Sequence, residues 1–294
     1  QPTAVPAKLL LVDQADLISA EVDAYLSSFT TENGLQLEKV TTPEIPAQGA
    51  ETKIVVFLAA PPNLAEVVSA SPDTQFIVNG AFDIQPLPNL SIIQTRTDDL
   101  VFMAGYLTMQ ISWDWRTAAL IPNDVVHAAE KVNAFENGAR YVCGQCTPYY
   151  APIVYFPLLA QETMNASIEA WDVQITTLAQ HFVNSYFVDP SMATPEILDR
   201  LLGLSDDIYN DVYLVGLGTS PVEQFTALVN FDILPALQQL MPQALAGTGG
   251  VETTALVRIV LNRDETVVTP AKVENFNRVA QDLAAGIIIP LSIP

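Results

Sequence analysis

The chain has 294 residues, half of them hydrophobic and 15% charged, enough apolar material and length for two lobes of ordinary domain size. Its 33 acidic against 12 basic residues leave a net charge of −21. That balance excludes nucleic acid, whose phosphates require clustered Lys and Arg, and docking on anionic lipid through a basic patch.

No apolar run reaches the ~20 residues of a membrane helix. The chain opens on Gln1-Pro2-Thr3-Ala4-Val5-Pro6, which reads as a linker left after removal of an upstream segment, a lipoprotein signal or an expression tag. Residues 8–12 (KLLLV) form a continuous apolar run, the mark of a strand covered on both faces. Helical spacing follows over 16–30 and stops at Asn33-Gly34, and LQLEKV (35–40) alternates like a strand. KIVVFLA (53–59) is the next buried strand. A short helix (63–70), QFIVN (75–79) and SIIQT (91–95) continue the alternation, which implies a parallel sheet with helices on both faces.

A second run of the same kind begins at Asp98. Residues 98–112 predict a helix with acidic residues in its first turn, where they suit the helix dipole. TAALIP (117–122) predicts a strand, and 124–139 a helix with Gly138 near its end. IVYFPLL (153–159) reads as a strand, 166–182 as a helix, NSYFVD (184–189) as a strand and 194–203 as a helix. DVYLVGL (211–217) and FTALVNF (225–231) predict strands, 233–245 a helix, TALVRIVL (254–261) a strand and 269–285 a closing helix. The total exceeds one doubly wound sheet. The fold class is therefore α/β, with two Rossmann-like lobes built on parallel sheets and a cleft between them.

Three segments carry a resemblance: IIQTRTDDLVFMAGYLTMQISWDWRTAALIPND (92–124), NGARYVCG (137–144), and DVYLVGLG (211–218) with the text that follows it to 290. Together they resemble the basic-membrane-protein family of solute-binding lipoproteins of ABC-type importers, with the type I periplasmic-binding fold. The strand order covers nearly the whole chain; Phe102-Met103-Ala104-Gly105-Tyr106-Leu107 is the segment close in letters. The resemblance implies two lobes joined by three crossings, with 1–96 and 220–258 in lobe one and 97–219 and 259–294 in lobe two. It also implies a nucleoside-like ligand in the interlobe cleft, ABC permease subunits as partners, an extracytoplasmic location with a removed N-terminal lipid anchor, and a monomer. After the first strand, Asp13 alone matches the family's Asp-x-Ser-Phe-Asn-like stretch. Val215-Gly216-Leu217-Gly218-Thr219 lacks the family's ribose-holding aspartate.

In open α/β sheets, ligands bind at the carboxyl ends of the strands. The candidate ligand contacts are Asp13, Gln14, Asn79, Phe82, Arg96, Asp98, Asp99, Asp124, Tyr149, Tyr150 and Thr219. Asp98 and Asp99 also fit as helix-start carboxylates, and Arg96 as their ion-pair partner. Phe82, Tyr149 and Tyr150 offer rings to stack on a flat ligand. Trp113 and Trp115 fit best as anchors of a helix-to-strand junction.

The sequence contains no G-x-S-x-G elbow, no P-loop and no G-x-G-x-x-G between a strand and a helix, and only two histidines, His127 and His181. No catalytic residue, cofactor or metal is expected. Cys143 and Cys146, the two cysteines, stand in a C-x-x-C without the helix start of a redox motif or the four ligands of a zinc site. A local disulfide that fixes the chain near the end of the preceding helix is the expectation in an extracytoplasmic protein. The expected function is capture of a small polar or aromatic metabolite for import. The alternatives are a ligand-sensing domain of a signalling system, or an α/β enzyme using Asp13 or Asp124 as general acid or base.

Overall fold

A computed structural model describes residues 7–13, 18–41, 51–80, 84–208, 210–218, 223–261 and 266–291. The chain divides into two compact units, Gln1–Arg96 with Asp232–Leu256, and Thr97–Phe231 with Val257–Pro294, and passes from one to the other three times.

The first unit holds β1 (Lys8–Val12), α1 (Ala20–Glu32), β2 (Gln36–Val40), β3 (Thr52–Phe57), α2 (Leu64–Ala70), β4 (Gln75–Asn79) and β5 (Leu90–Gln94), then α8 (Leu234–Leu245) and β11 (Glu252–Thr254) from later in the chain. Its sheet runs β11-β5-β4-β3-β1-β2, parallel at every pairing. The period of two sends Leu10, Val12, Val55, Phe57, Phe76, Val78, Leu90 and Ile92 to one face, where Leu64 and Val68 of α2 complete the core. Their neighbours Leu9, Leu11, Ile54, Val56, Ile77 and Ile93 are equally buried and face the other way. Burial on both faces explains why these strands read as unbroken apolar runs, whereas edge strand β2 has no fully buried residue and mixes polar with apolar ones.

The second unit holds α3 (Thr97–Ile111), β6 (Thr117–Leu120), α4 (Ala128–Cys143), β7 (Leu158–Ala160), α5 (Ile168–Ala179), β8 (Ser185–Val188), α6 (Pro195–Leu202), α7 (Leu204–Ile208), β9 (Tyr213–Leu217), β10 (Ala227–Asp232), β12 (Leu256–Leu261) and α9 (Pro270–Ala284). Its sheet order is β12-β10-β9-β8-β6-β7. Helix starts follow the local chemistry. Ser167, Thr194 and Thr269 cap α5, α6 and α9 with their hydroxyls, and Pro195 and Pro270 occupy first-turn positions where no N–H is missed.

Helix α3 is buried over most of its length and packs closely on α4. A Cβ added at Gly105 would stand 2.2 Å from the Phe135 carbonyl oxygen, and one at Gly138 would stand 1.9 Å from that of Phe102. The two glycines therefore bring the helix backbones into direct contact. The Phe-x-Ala-Gly-Tyr-Leu and Asn-Gly-Ala-Arg segments are the two sides of one helix–helix seam.

Four expectations need correction. The helix expected over 124–139 runs from Ala128 to Cys143, because Gly138 serves the seam and Gly144, at φ 66°, forms the cap. The strand expected over 153–159 shrinks to Leu158–Ala160, since Pro152 and Pro157 have no N–H for a ladder. Residues 254–261 do not form one strand: β11 and β12 flank Ala255 and belong to different sheets. Residues 223–231, expected in lobe one, group with the second unit because β10 is hydrogen-bonded to β9.

Candidate ligand-binding edges

At the carboxyl edge of the first sheet stand Asp13 after β1, Asn79 at the end of β4 and Arg96 after β5. Asp13 is 7% exposed, and its Oδ2 accepts the Ile18 N–H at 3.1 Å. Asn79 has its two side-chain atoms in different situations. Nδ2 donates to the Leu58 carbonyl at 3.0 Å, which fixes the amide plane. Oδ1 is buried and accepts no hydrogen bond from the described residues. Arg96 is half-buried and lies two residues beyond β5.

At the carboxyl edge of the second sheet, α3 begins with Asp98 and Asp99 in its first turn, where carboxylates suit the helix dipole; Asp99 is 1% exposed. Asp124 is exposed and accepts the Met164 N–H at 2.7 Å, tying the turn after β6 to the segment after β7. Asp189, after β8, is 1% exposed. Its Oδ2 meets Lys131 Nζ at 2.6 Å, and its Oδ1 accepts the Ser191 N–H and hydroxyl. Lys131 escaped the sequence reading; the available signal was a cation, one of only 12 basic residues, near the start of a helix that follows a strand.

Tyr149 and Tyr150 do not lie at a carboxyl edge. They pack beside Trp113, just before β6, at the amino end of the second sheet. Asp114 holds them there: its carboxylate accepts the Tyr149 N–H at 2.6 Å and the Tyr150 N–H at 3.3 Å. It also pairs with Arg116 at 3.3 Å, and both side chains are at most 2% exposed. Arg116 donates to the carbonyls of His181 at 2.6 Å and Tyr150 at 2.5 Å, and its guanidinium faces the rings of Phe156 and Phe182. The Trp-Asp-Trp-Arg text thus anchors the junction through its charges, with Trp113 left 51% exposed. The cysteines form the expected disulfide, with Cα atoms 5.0 Å apart, at the start of the loop that carries the tyrosines. Gln14, Phe82 and Thr219 lie outside the described residues.

Among the described residues, no helix is long and apolar enough to cross a membrane, and no group of three or more His, Cys, Asp or Glu is placed to hold a metal ion.

No family model matches the sequence, and no curated protein matches it. Solved structures match over nearly the full length. An ABC transporter solute-binding protein from Conexibacter woesei superposes with TM-score 0.61 at 12% identity, covering 98% of each chain. A solute-binding protein of an ABC transporter system from Aeropyrum pernix gives 0.57 at 11%, covering 97% of this chain and 93% of that one. A transcriptional activator of the comK gene from Bacillus halodurans also gives 0.57 at 11%, covering 97% and 99%. At these identities the likeness is one of fold, the type I periplasmic-binding-like arrangement of two parallel α/β units.

Proposed function

We propose that this chain is an extracytoplasmic solute-binding protein that captures a small metabolite at the carboxyl edges of its sheets and delivers it to an ABC-type importer. The metabolite is nucleoside-like, and the protein is held at the membrane by a lipid anchor. It acts by binding and not by turnover.

The observation that carries the reading is Asn79. A carboxamide fixed by Leu58 presents a buried acceptor at the end of a central strand, and buried acceptors in native structures are satisfied by some donor. A ligand N–H or O–H would supply it. Asp13, buried just after β1, the strand two places away in the sheet order, adds a carboxylate to the same edge. A sugar hydroxyl or a base N–H is the natural complement of such acceptors. The nucleoside assignment follows the family resemblance and is supported by this polarity.

Thermal unfolding in a panel of purine and pyrimidine nucleosides, amino acids and sugars tests the reading. A nucleoside at about 100 times its Kd stabilises by about 2.7 kcal/mol, roughly 5–10 °C, and Asn79→Ala abolishes the shift. Stabilisation by another class alone would remove the nucleoside assignment. No shift with any member would remove solute capture.

A further inference from the structure

The amino end of the second sheet carries features that the carboxyl-edge reading leaves without a role. Trp113, Tyr149, Tyr150, Ile153, Tyr155 and Phe182 are all exposed there, by 42% to 82%. The loop that carries Tyr149 and Tyr150 is tied down at its backbone. Asp114 and Arg116 bind the loop from below, and the Cys143–Cys146 disulfide closes its start. Asp114, Trp115, Cys146 and Phe182 adopt left-handed φ of 46° to 64°. Non-glycine residues pay for that conformation, and such strain gathers at functional sites.

Trp113 and Tyr150 stack with ring centroids 5.7 Å apart and planes 7° from parallel. Beside them lies a cavity of about 490 Å³ lined by Trp113, Arg116, Tyr150, Ala151, Phe182, Ile208 and Asn210, within the size range of small-ligand sites. These residues precede β6, β7, β8 and β9, so the cavity is at the opposite end of the strands from Asp124 and Asp189.

We infer that this cavity is a second binding site, and that it takes a neutral sugar ring. Three features select that chemistry. First, among the described residues Arg116 is the one charged residue of the lining; its charge is compensated by Asp114 and its donors go to two carbonyls, so an anion gains no unpaired cation there. Second, Trp113 and Tyr150 are already stacked on each other. They form one wall for a ring that stacks by a single face, not two jaws for a flat base. Third, Asn210 lines the cavity beside the apolar wall; its Oδ1 accepts the Asp211 N–H at 3.0 Å, which orients the amide, and its Nδ2 can donate to a hydroxyl. A pyranose combines an apolar C–H face with a hydroxyl rim and meets all three conditions.

Saturation-transfer NMR of the intact chain with glucose, galactose, maltose and cellobiose tests the site, with indole as the flat aromatic control and tryptophan fluorescence as a second readout. The expected result is saturable binding of at least one sugar at up to tens of millimolar. Trp113→Ala and Asn210→Ala should each weaken it roughly tenfold, while Asn79→Ala leaves it unchanged. That last comparison separates this site from the carboxyl-edge one. If Trp113→Ala fails to fold, Asn210→Ala carries the test. Absence of sugar binding, binding indifferent to both substitutions, or binding of indole alone would overturn the inference.

Discussion

Replacing Asp114 by alanine removes one member of a buried ion pair and leaves the other in place. Both side chains are at most 2% exposed, so solvent cannot take over the lost partner. Breaking such a pair from one side costs about 3–5 kcal/mol, because the remaining charge stays buried and unpaired. The loss of an acceptor for Tyr149 N–H adds little, since Tyr149 is 82% exposed and water replaces the bond. For a unit of this size, 1 kcal/mol corresponds to about 2–4 °C, so Asp114→Ala should melt roughly 10 °C lower. Asp114→Asn, which tolerates the left-handed backbone and keeps one acceptor, should fall between. Adding Arg116→Met to Asp114→Ala should recover part of the loss, because the orphaned cation disappears. Calorimetry of these chains together with Arg116→Met alone measures the coupling. Asp114→Ala melting within about 2 °C of the parent, or losses that simply add in the double variant, would refute the reasoning.

Gly138→Ala drives a methyl into the Phe102 carbonyl and should destabilise by about 3 kcal/mol, read as a lower urea midpoint; an unchanged midpoint would mean that α3 and α4 are not in backbone contact. Removing the disulfide by Cys143→Ala with Cys146→Ala releases a very short loop, worth about 2 kcal/mol by the chain-entropy estimate, and should lower the melting temperature by roughly 4–8 °C. A double variant melting with the parent would show that the clip adds nothing. Burial raises the Tyr186 phenol well above its ordinary value of 10.0, and its hydroxyl donates to the Val183 carbonyl at 2.9 Å. A raised folded value means a contribution intact below pH 10 and lost as pH rises, since the unfolded chain releases the proton first. In absorbance titrations, Tyr186→Phe should show as many phenolates as the parent up to the pH of unfolding and should unfold at higher pH; one phenolate fewer before unfolding would contradict this.

The fold was legible because its strands are buried on both faces. KLLLV, KIVVF and QFIVN announce themselves without a partner, and Asn33-Gly34 and Thr269-Pro270 punctuate helices by local chemistry. The misplaced boundaries came from residues whose role depends on a distant segment. Gly138 reads as a helix stop until α3 is seen against it. Ala255 gives no local sign that the chain changes sheets. The sites followed the same division. The rule of carboxyl ends put Asp13, Asn79 and Asp124 at the ends of their strands from strand order alone, and they stand there. Tyr149 and Tyr150 fell to the opposite end because Asp114, 35 positions before Tyr149, holds their backbone, a contact that no local pattern encodes. Lys131 was missed for the same reason, since its partner Asp189 lies 58 positions away.

The central claim is that solute binds at the carboxyl edges. Amide hydrogen exchange with and without saturating inosine tests it most directly. Slowed exchange is expected around Leu58 and Asn79, through Gln94 to Asp99, and around Asp124 and Asp189, where the strands and the first turn of α3 meet the two edges. Unchanged exchange at all of these, or slowing confined to 113–116 and 149–155, would contradict it.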